Sequence, residues 1–348
     1  MKMHLFKITG VILISIIASC TNVQTKKSSY TVDVDLGNAI SLKEETSSVE
    51  VMCLNDSLSE HFPGDMTKVK WTGNSILVLD SWKDPGLYQY DSEGLLINSF
   101  TNRGNGPGEF VRVVDFNVTS SGIILLDTYS ESQRLFLDKN LSFLYKKDAE
   151  EQSSHFFQEE SKDSGVWYDR GNVAYGENKN KLVYEKDEKK KIVLPVPGEI
   201  ENVTFASYNV FAGIANDTVL YLPAVEPRIY KCYDGKAEVF CDLNFGDLWP
   251  DFSGVDKSNP LELMRRIVDE GKIYSTNIVS DGNDFAISFF CKEKCYIMLF
   301  RYPEKEPYKL LYADKNIIES IGNLVCMKDG CLVFGKPGKL LKFGIKMK

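Results

Sequence analysis

Two stretches of this 348-residue chain repeat one order of strands and turns, and a repeat of that kind restricts a fold more than any single motif. Ser75 to Asp80 is an unbroken apolar strand closing on a carboxylate. Gly86 to Tyr90 follows with alternating character, the turn Asp91-Ser92-Glu93-Gly94 reverses the chain, and Leu95 to Phe100 is the last strand. The second stretch runs Val113 to Val118, Ser120-Ser121-Gly122, Ile123 to Asp127, Gln133 to Leu137, the turn Asp138-Lys139-Asn140, and Leu141 to Tyr145. Asp80 and Asp127 end matching strands, where a short carboxylate fixes a turn within its own unit.

Fainter copies follow. One takes Val166 to Tyr168, Asn172 to Tyr175, Lys181 to Tyr184 and Ile192 to Val196. Another takes Tyr208 to Phe211, Thr218 to Leu222, Arg228 to Tyr233 and Ala237 to Cys241. A third uses Ile273 to Val279, Asp284 to Cys291, Cys295 to Tyr302 and Tyr308 to Tyr312. The last has Ile317 to Cys326, Cys331 to Phe334 and Leu340 to Ile345, so it is one strand short. A four-strand unit recurring every ~40–50 residues predicts an all-β, six-bladed β-propeller over residues 49–348. An N-terminal strand, Val49 to Leu54 or Tyr30 to Leu36, is expected to complete the short unit and close the ring, hiding two sheet edges. Two packed sandwiches explain the alternation equally well, but not the repeated order.

One segment breaks the pattern. Asn259-Pro260 carries a capping residue and a proline at the first helical position, and Gly271 closes the stretch. Leu261, Leu263, Met264, Ile267 and Val268 gather on one side, with Glu262, Arg265, Arg266, Asp269 and Glu270 on the other. This is one inserted amphipathic helix, within an insertion at about residues 243–272, packed on the propeller or serving as a lid or docking element.

The chain begins with Lys2 and Lys7, an apolar run from Ile8 to Ile17 too short for a permanent span, and then Ala18-Ser19-Cys20. The layout resembles a bacterial lipoprotein signal, which implies removal of residues 1–19, acylation of Cys20, and a tether and N-terminal strand region over residues 20–48. The formal charge is −8, and losing the two leader lysines makes it more negative. An acidic body without a basic patch argues against nucleic acid and against electrostatic docking on anionic lipid, so membrane contact is expected through the acyl chains alone.

The other seven of the eight cysteines are Cys53, Cys232, Cys241, Cys291, Cys295, Cys326 and Cys331. Cys291 and Cys295 flank a Lys-Glu-Lys turn, and Cys326 and Cys331 flank a turn with Asp329-Gly330. Each pair forms a disulfide only if its two members face each other across a hairpin with Cα atoms ~4.4–6.8 Å apart; otherwise the thiols are free.

Arg103-Gly104-Asn105-Gly106-Pro107-Gly108-Glu109-Phe110 is the most distinctive motif of the chain. It lacks the Lys-Ser/Thr ending of a phosphate loop, and a strand follows it instead of a helix. Glu109 is its natural internal acceptor, Arg103 a potential ion partner for Glu109, and Phe110 a plug into the next blade; the alternative is a ligand-contacting loop. The segment resembles the Gly-Pro-Gly-Glu-Phe signature of the six-bladed β-propeller lipoproteins of Bacteroidetes, a group similar to NHL and TolB-like propellers. Ser47 to Leu54 looks like the opening strand of that family. The resemblance implies a fold and a cell-envelope compartment without assigning a reaction. In that phylum, surface export goes with an acidic cluster after the acylated cysteine. Thr21 to Lys27 has none, which points to an outer-membrane anchor facing the periplasm.

Little in the chain signals catalysis. His61 and His155 stand in polar stretches read as solvated loops, and no Gly-x-Ser-x-Gly elbow or His-Glu-x-x-His helix occurs. No cofactor is predicted. Calcium in the central channel is the one ion the composition suggests, with Asp115, Asn117 and Asp169 as inward-pointing candidates. The expected function is a non-catalytic binding or scaffolding propeller, taking an envelope protein or a small ligand. The alternative is a calcium-dependent lactonase-like or lyase-like enzyme.

Overall fold

A computed structural model describes residues 30–55, 63–128, 132–150, 153–158, 165–172, 179–203, 207–214, 218–253, 256 and 259–346. Six sheets form six blades. Blade 1 is Lys68–Thr72, Ser75–Asp80, Gly86–Asp91 and Leu96–Phe100. Blade 2 is Val113–Thr119, Gly122–Thr128, Ser132–Leu137 and Phe143–Asp148. Blade 3 is His155–Gln158, Val166–Asp169, Asn180–Lys186 and Lys189–Pro195. Blade 4 is Phe211–Ile214, Thr218–Tyr221, Arg228–Tyr233 and Lys236–Asn244. Blade 5 is Tyr274–Asp281, Asp284–Cys291, Lys294–Arg301 and Lys309–Asp314. Blade 6 has Asn323–Lys328, Cys331–Lys336 and Lys339–Ile345. The first strands of successive blades approach one another around the ring, blade 6 to blade 1 included.

Each blade buries both faces of its inner strands, and this explains the unbroken apolar runs in the sequence. In Ser75–Asp80, Leu77 and Leu79 pack with Phe116, Leu125 and Leu135 of blade 2. Their neighbours Ile76 and Val78 point the other way, onto Val325 and Val333 of blade 6. The remaining seams are built alike, one apolar cluster between each pair of blades.

The sixth blade is completed from the N-terminal side. Thr46–Cys53 pairs antiparallel with Lys339–Ile345, Thr46 opposite Ile345 and Cys53 opposite Lys339. Upstream, Thr31–Asp33 adds a parallel fifth strand to blade 4 and Ile40–Ser41 another to blade 5. Residues 30–53 therefore strap the rim of three consecutive blades. Lys309 fastens the strap, donating to Glu45 Oε2 at 2.5 Å and to the Lys346 carbonyl at 2.6 Å.

Several expectations need correction. The inner strand of blade 3 is His155–Gln158, which the repeat reading passed over; Asn172 sits in a turn, and 173–178 lie outside the described residues. Ile317 to Ile321, read as strand, belongs to the helix Lys315–Ile321, closed by Gly322 at φ 86°. Ile317, Ile318 and Ile321 share one helical face, and that face packs between blades 5 and 6. The inserted helix is Pro260–Asp269, with Asn259 accepting from the Glu262 amide. Among its described side chains only Leu263 and Ile267 are buried, against Val196, Ile200, Val203, Val225 and Phe252. Leu261 is 84 % exposed and Val268 45 %, so the predicted five-residue apolar face is split.

Neither cysteine pair is bridged, and the seven described cysteines are free. The tight hairpin of blade 5 sets Cys291 opposite Lys294 and Phe290 opposite Cys295, which puts the two sulfurs on opposite sheet faces. In blade 6, Cys326 faces Val333 and Cys331 faces Lys328, a diagonal about 7–8 Å apart and beyond disulfide reach. Burial pushes the Cys295 thiol up to about 12, leaving it unreactive.

Candidate functional site

The second strands of blades 1 and 3 end on the buried Asp80 and Asp169, and that of blade 2 carries the buried Asp127 one residue before its end. Asp80 accepts from the amides of Gly64 and Asp65 in the incoming loop, and from those of Trp82, Lys83 and Asp84 in its own turn. Asp127 accepts from Val111 and Arg112 at 3.0 and 2.7 Å. Carboxylates so placed neutralise amide hydrogens that no strand can pair. They fasten the connection between blades to the loop face of the ring.

The third member does more. Asp169 Oδ1 accepts from the Tyr221 hydroxyl of blade 4 at 2.6 Å, and Oδ2 faces Ser154 Oγ at 3.0 Å and His155 Nδ1 at 3.4 Å. Burial alone would raise this carboxyl, but the bonds from His155, Tyr221 and Ser154 hold it below its ordinary value. His155 is correspondingly not a solvated loop residue. It opens the inner strand of blade 3, and its Nε2 lies 3.2 Å from the Ser207 carbonyl. Beside it, the buried Lys181 forms an ion pair with the half-buried Glu226 of blade 4, and burial pulls the ammonium down to about 7 against the charge of Asp169.

The arrangement is not a nucleophile–base–acid relay. Ser154 and Asp169 both meet His155 at Nδ1, while Nε2 is turned to a backbone oxygen.

Nearer the axis, Lys68 pairs with Asp115 at 2.7 Å, and Asp115 Oδ2 accepts from the Phe156 amide at 2.9 Å, joining blades 1, 2 and 3. The Asn117 side chain donates to the Gln158 carbonyl. Asn209 donates to Asn277 at 3.0 Å, and Asn277 donates to the Leu324 carbonyl at 2.8 Å, joining blades 4, 5 and 6. The calcium candidates Asp115, Asn117 and Asp169 thus serve three separate sets of partners and do not form one oxygen cage. Among the described residues no three His, Cys, Asp or Glu side chains gather as a metal site. A cavity of about 510 Å³ lies among the inner strands, lined by Lys68, Trp71, Phe157, Gln158 and Ser280 among others.

The glycine-rich motif connects blades 1 and 2. Glu109 Oε2 accepts from the Gly106 amide at 2.8 Å, and the Glu109 amide donates to the Gly106 carbonyl at 3.1 Å. Gly108 holds φ at +74° and Gly104 at +154°; a Cβ on Gly104 would stand 2.1 Å from Glu109 Oε2. Pro107 is exposed, whereas Phe110 is buried 5.8 Å from the Phe100 ring. Arg103 departs from expectation: it makes no ion pair with Glu109 and extends into solvent, while its backbone bridges to Phe110. Cys20 and His61 lie outside the described residues.

Sequence reasoning missed Lys181, Tyr221 and Glu226, which meet only because blades 3 and 4 pack. The one legible sign was an interior lysine, Lys181, opening an otherwise apolar strand segment.

No curated protein matches the chain in sequence. Among solved structures, a candidate exported protein from Bacteroides fragilis NCTC 9343 superposes with TM-score 0.66 at 15% identity, over 91% of this chain and 99% of that one. Virginiamycin B lyase from Staphylococcus aureus gives TM-score 0.48 at 9% identity, over 86% of this chain and 100% of that one. At such identities the first likeness concerns the fold, and the second carries no argument about chemistry. The family model described as 6-bladed beta-propeller matches residues 21–331, and the chain belongs to that family.

Proposed function

We propose that this protein is a non-catalytic binding or scaffolding propeller of the bacterial cell envelope, held by lipid on Cys20 to the periplasmic side of the outer membrane. The observation that carries the reading is how its ionisable groups are spent. Asp115 with Lys68, Asp169 with His155 and Tyr221, and Glu226 with Lys181 each tie one blade to the next. A rigid ring so built offers its loops and faces to a partner, as propellers do without any reactive group. The leader ending in Ala18-Ser19-Cys20 supports the compartment and the anchor.

Two measurements test the reading. Cys20→Ala is expected to move the protein out of the membrane fraction; unchanged partition would defeat the anchor. Elemental analysis of the purified protein is expected to find no stoichiometric calcium, and one calcium per chain would instead favour the metal-dependent enzyme.

A further inference from the structure

The protein is acidic overall, with formal charge −8, yet four exposed side chains on the loop face of blades 1 and 2 make a local basic and aromatic patch. Trp82 is 62 % exposed, and the Arg112 guanidinium lies 5.1 Å from its ring centroid. Lys83 adjoins Trp82 in the chain. Arg103 is bridged to Phe110, two residues from Arg112. None of the three cations forms an ion pair among the described residues, although Lys83 lies within the field of Asp65.

The platform is held firmly from beneath. Asp80 binds the amides of Trp82 and Lys83 at 2.8 and 2.9 Å, Asp127 binds that of Arg112 at 2.7 Å, and Glu109 pins the glycine loop that carries Arg103. An exposed indole on a braced backbone loses little freedom on binding. Tryptophan and arginine are also the residue types that concentrate binding energy at protein interfaces.

We infer that this patch docks an acidic segment of a protein partner, one that sets a carboxylate beside an aromatic side chain. The guanidinium groups of Arg103 and Arg112 take the carboxylate, and the open part of the Trp82 ring takes the aromatic group. The negative charge of the rest of the molecule repels an acidic partner elsewhere and so directs it to this face. Three cations on a body of that charge suit a short protein segment better than a phosphate polymer. The inference rests on the reading of the protein as a binding propeller.

A random glutamate–tyrosine copolymer is a suitable probe, titrated against the full chain in detergent at low salt. Saturable binding is expected, weakened at least about tenfold by Trp82→Ala and by the double variant Arg103→Glu, Arg112→Glu, with the melting temperature of Trp82→Ala unchanged. Lys189→Glu with Lys191→Glu, in the exposed basic run of blade 3, is expected to leave binding intact. Four results would overturn the inference. They are no binding of the copolymer, insensitivity to Trp82→Ala, equal loss in the blade 3 variant, or equal binding of polyglutamate or polygalacturonate. Any of them beside a Cys20→Ala protein that still leaves the membrane would remove this docking site alone and keep the lipoprotein reading.

Discussion

Asp80, Asp127 and Asp169 hold the same place in three successive blades, and the sequence disclosed the first two because each closes a visibly repeated strand. Their partners are backbone amides nearby in the chain, so local pattern was enough. Asp169 is different, since Tyr221 lies 52 residues away. Its carboxyl is held below the ordinary 3.8, so its stabilisation is complete above that value and is lost as the pH falls through the lower folded value. Asp169→Asn should therefore flatten the acid limb of the stability–pH profile, measured by denaturant melts between about pH 2 and 5. An unchanged acid limb would show that the carboxylate is not so engaged.

Lys181→Met leaves the half-buried Glu226 without its counter-charge, with only the Tyr230 hydroxyl still donating to it, and should cost about 1–3 kcal/mol in the same melts. Adding Glu226→Leu should return most of that loss. In the glycine-rich loop, Gly104→Ala places a methyl group against Glu109 and should cost at least about 1–3 kcal/mol. Glu109→Gln keeps an oxygen acceptor for the Gly106 amide and should cost about 0.5–1.5 kcal/mol. If Gly104→Ala melts like the parent, the loop is not the joint that its geometry describes.

At the scale of elements, the inserted helix shows where periodicity stops being informative. Asn259, Pro260 and Gly271 mark both ends correctly, because caps act within a few residues. Which part of the apolar face is covered depends on loops from blades 3 and 4, and these bury Leu263 and Ile267 while leaving Leu261 in solvent. Leu263→Ala should accordingly destabilise by about 2–4 kcal/mol, whereas Leu261→Ser should stay within about 0.5 kcal/mol of the parent, by thermal or chemical melt. Equal effects would mean that the helix packs by another face. The helix Lys315–Ile321 was misread for a related reason: Ile-Ile favours strands locally, and only the seam between blades 5 and 6 rewards the helical alternative.

For the whole molecule, the ring is closed by pairing residues 46–53 with residues 339–345, near opposite ends of the chain. Deleting 30–53 removes that strand together with the added strands of blades 4 and 5, and exposes the edge of Lys339–Ile345. Loss of cooperative melting and association on gel filtration are expected, and a monomeric, cooperatively folding product would refute closure by this strand. The sequence by itself determined the class, the six-fold repeat and the need for a borrowed strand, because these are written in short-range alternation, turn residues and length. The tertiary structure alone decided which cysteines could meet, which side of the helix is covered, and which charges join across a seam. Those outcomes depend on register and on the packing of one blade against the next, and neither is encoded within any single unit.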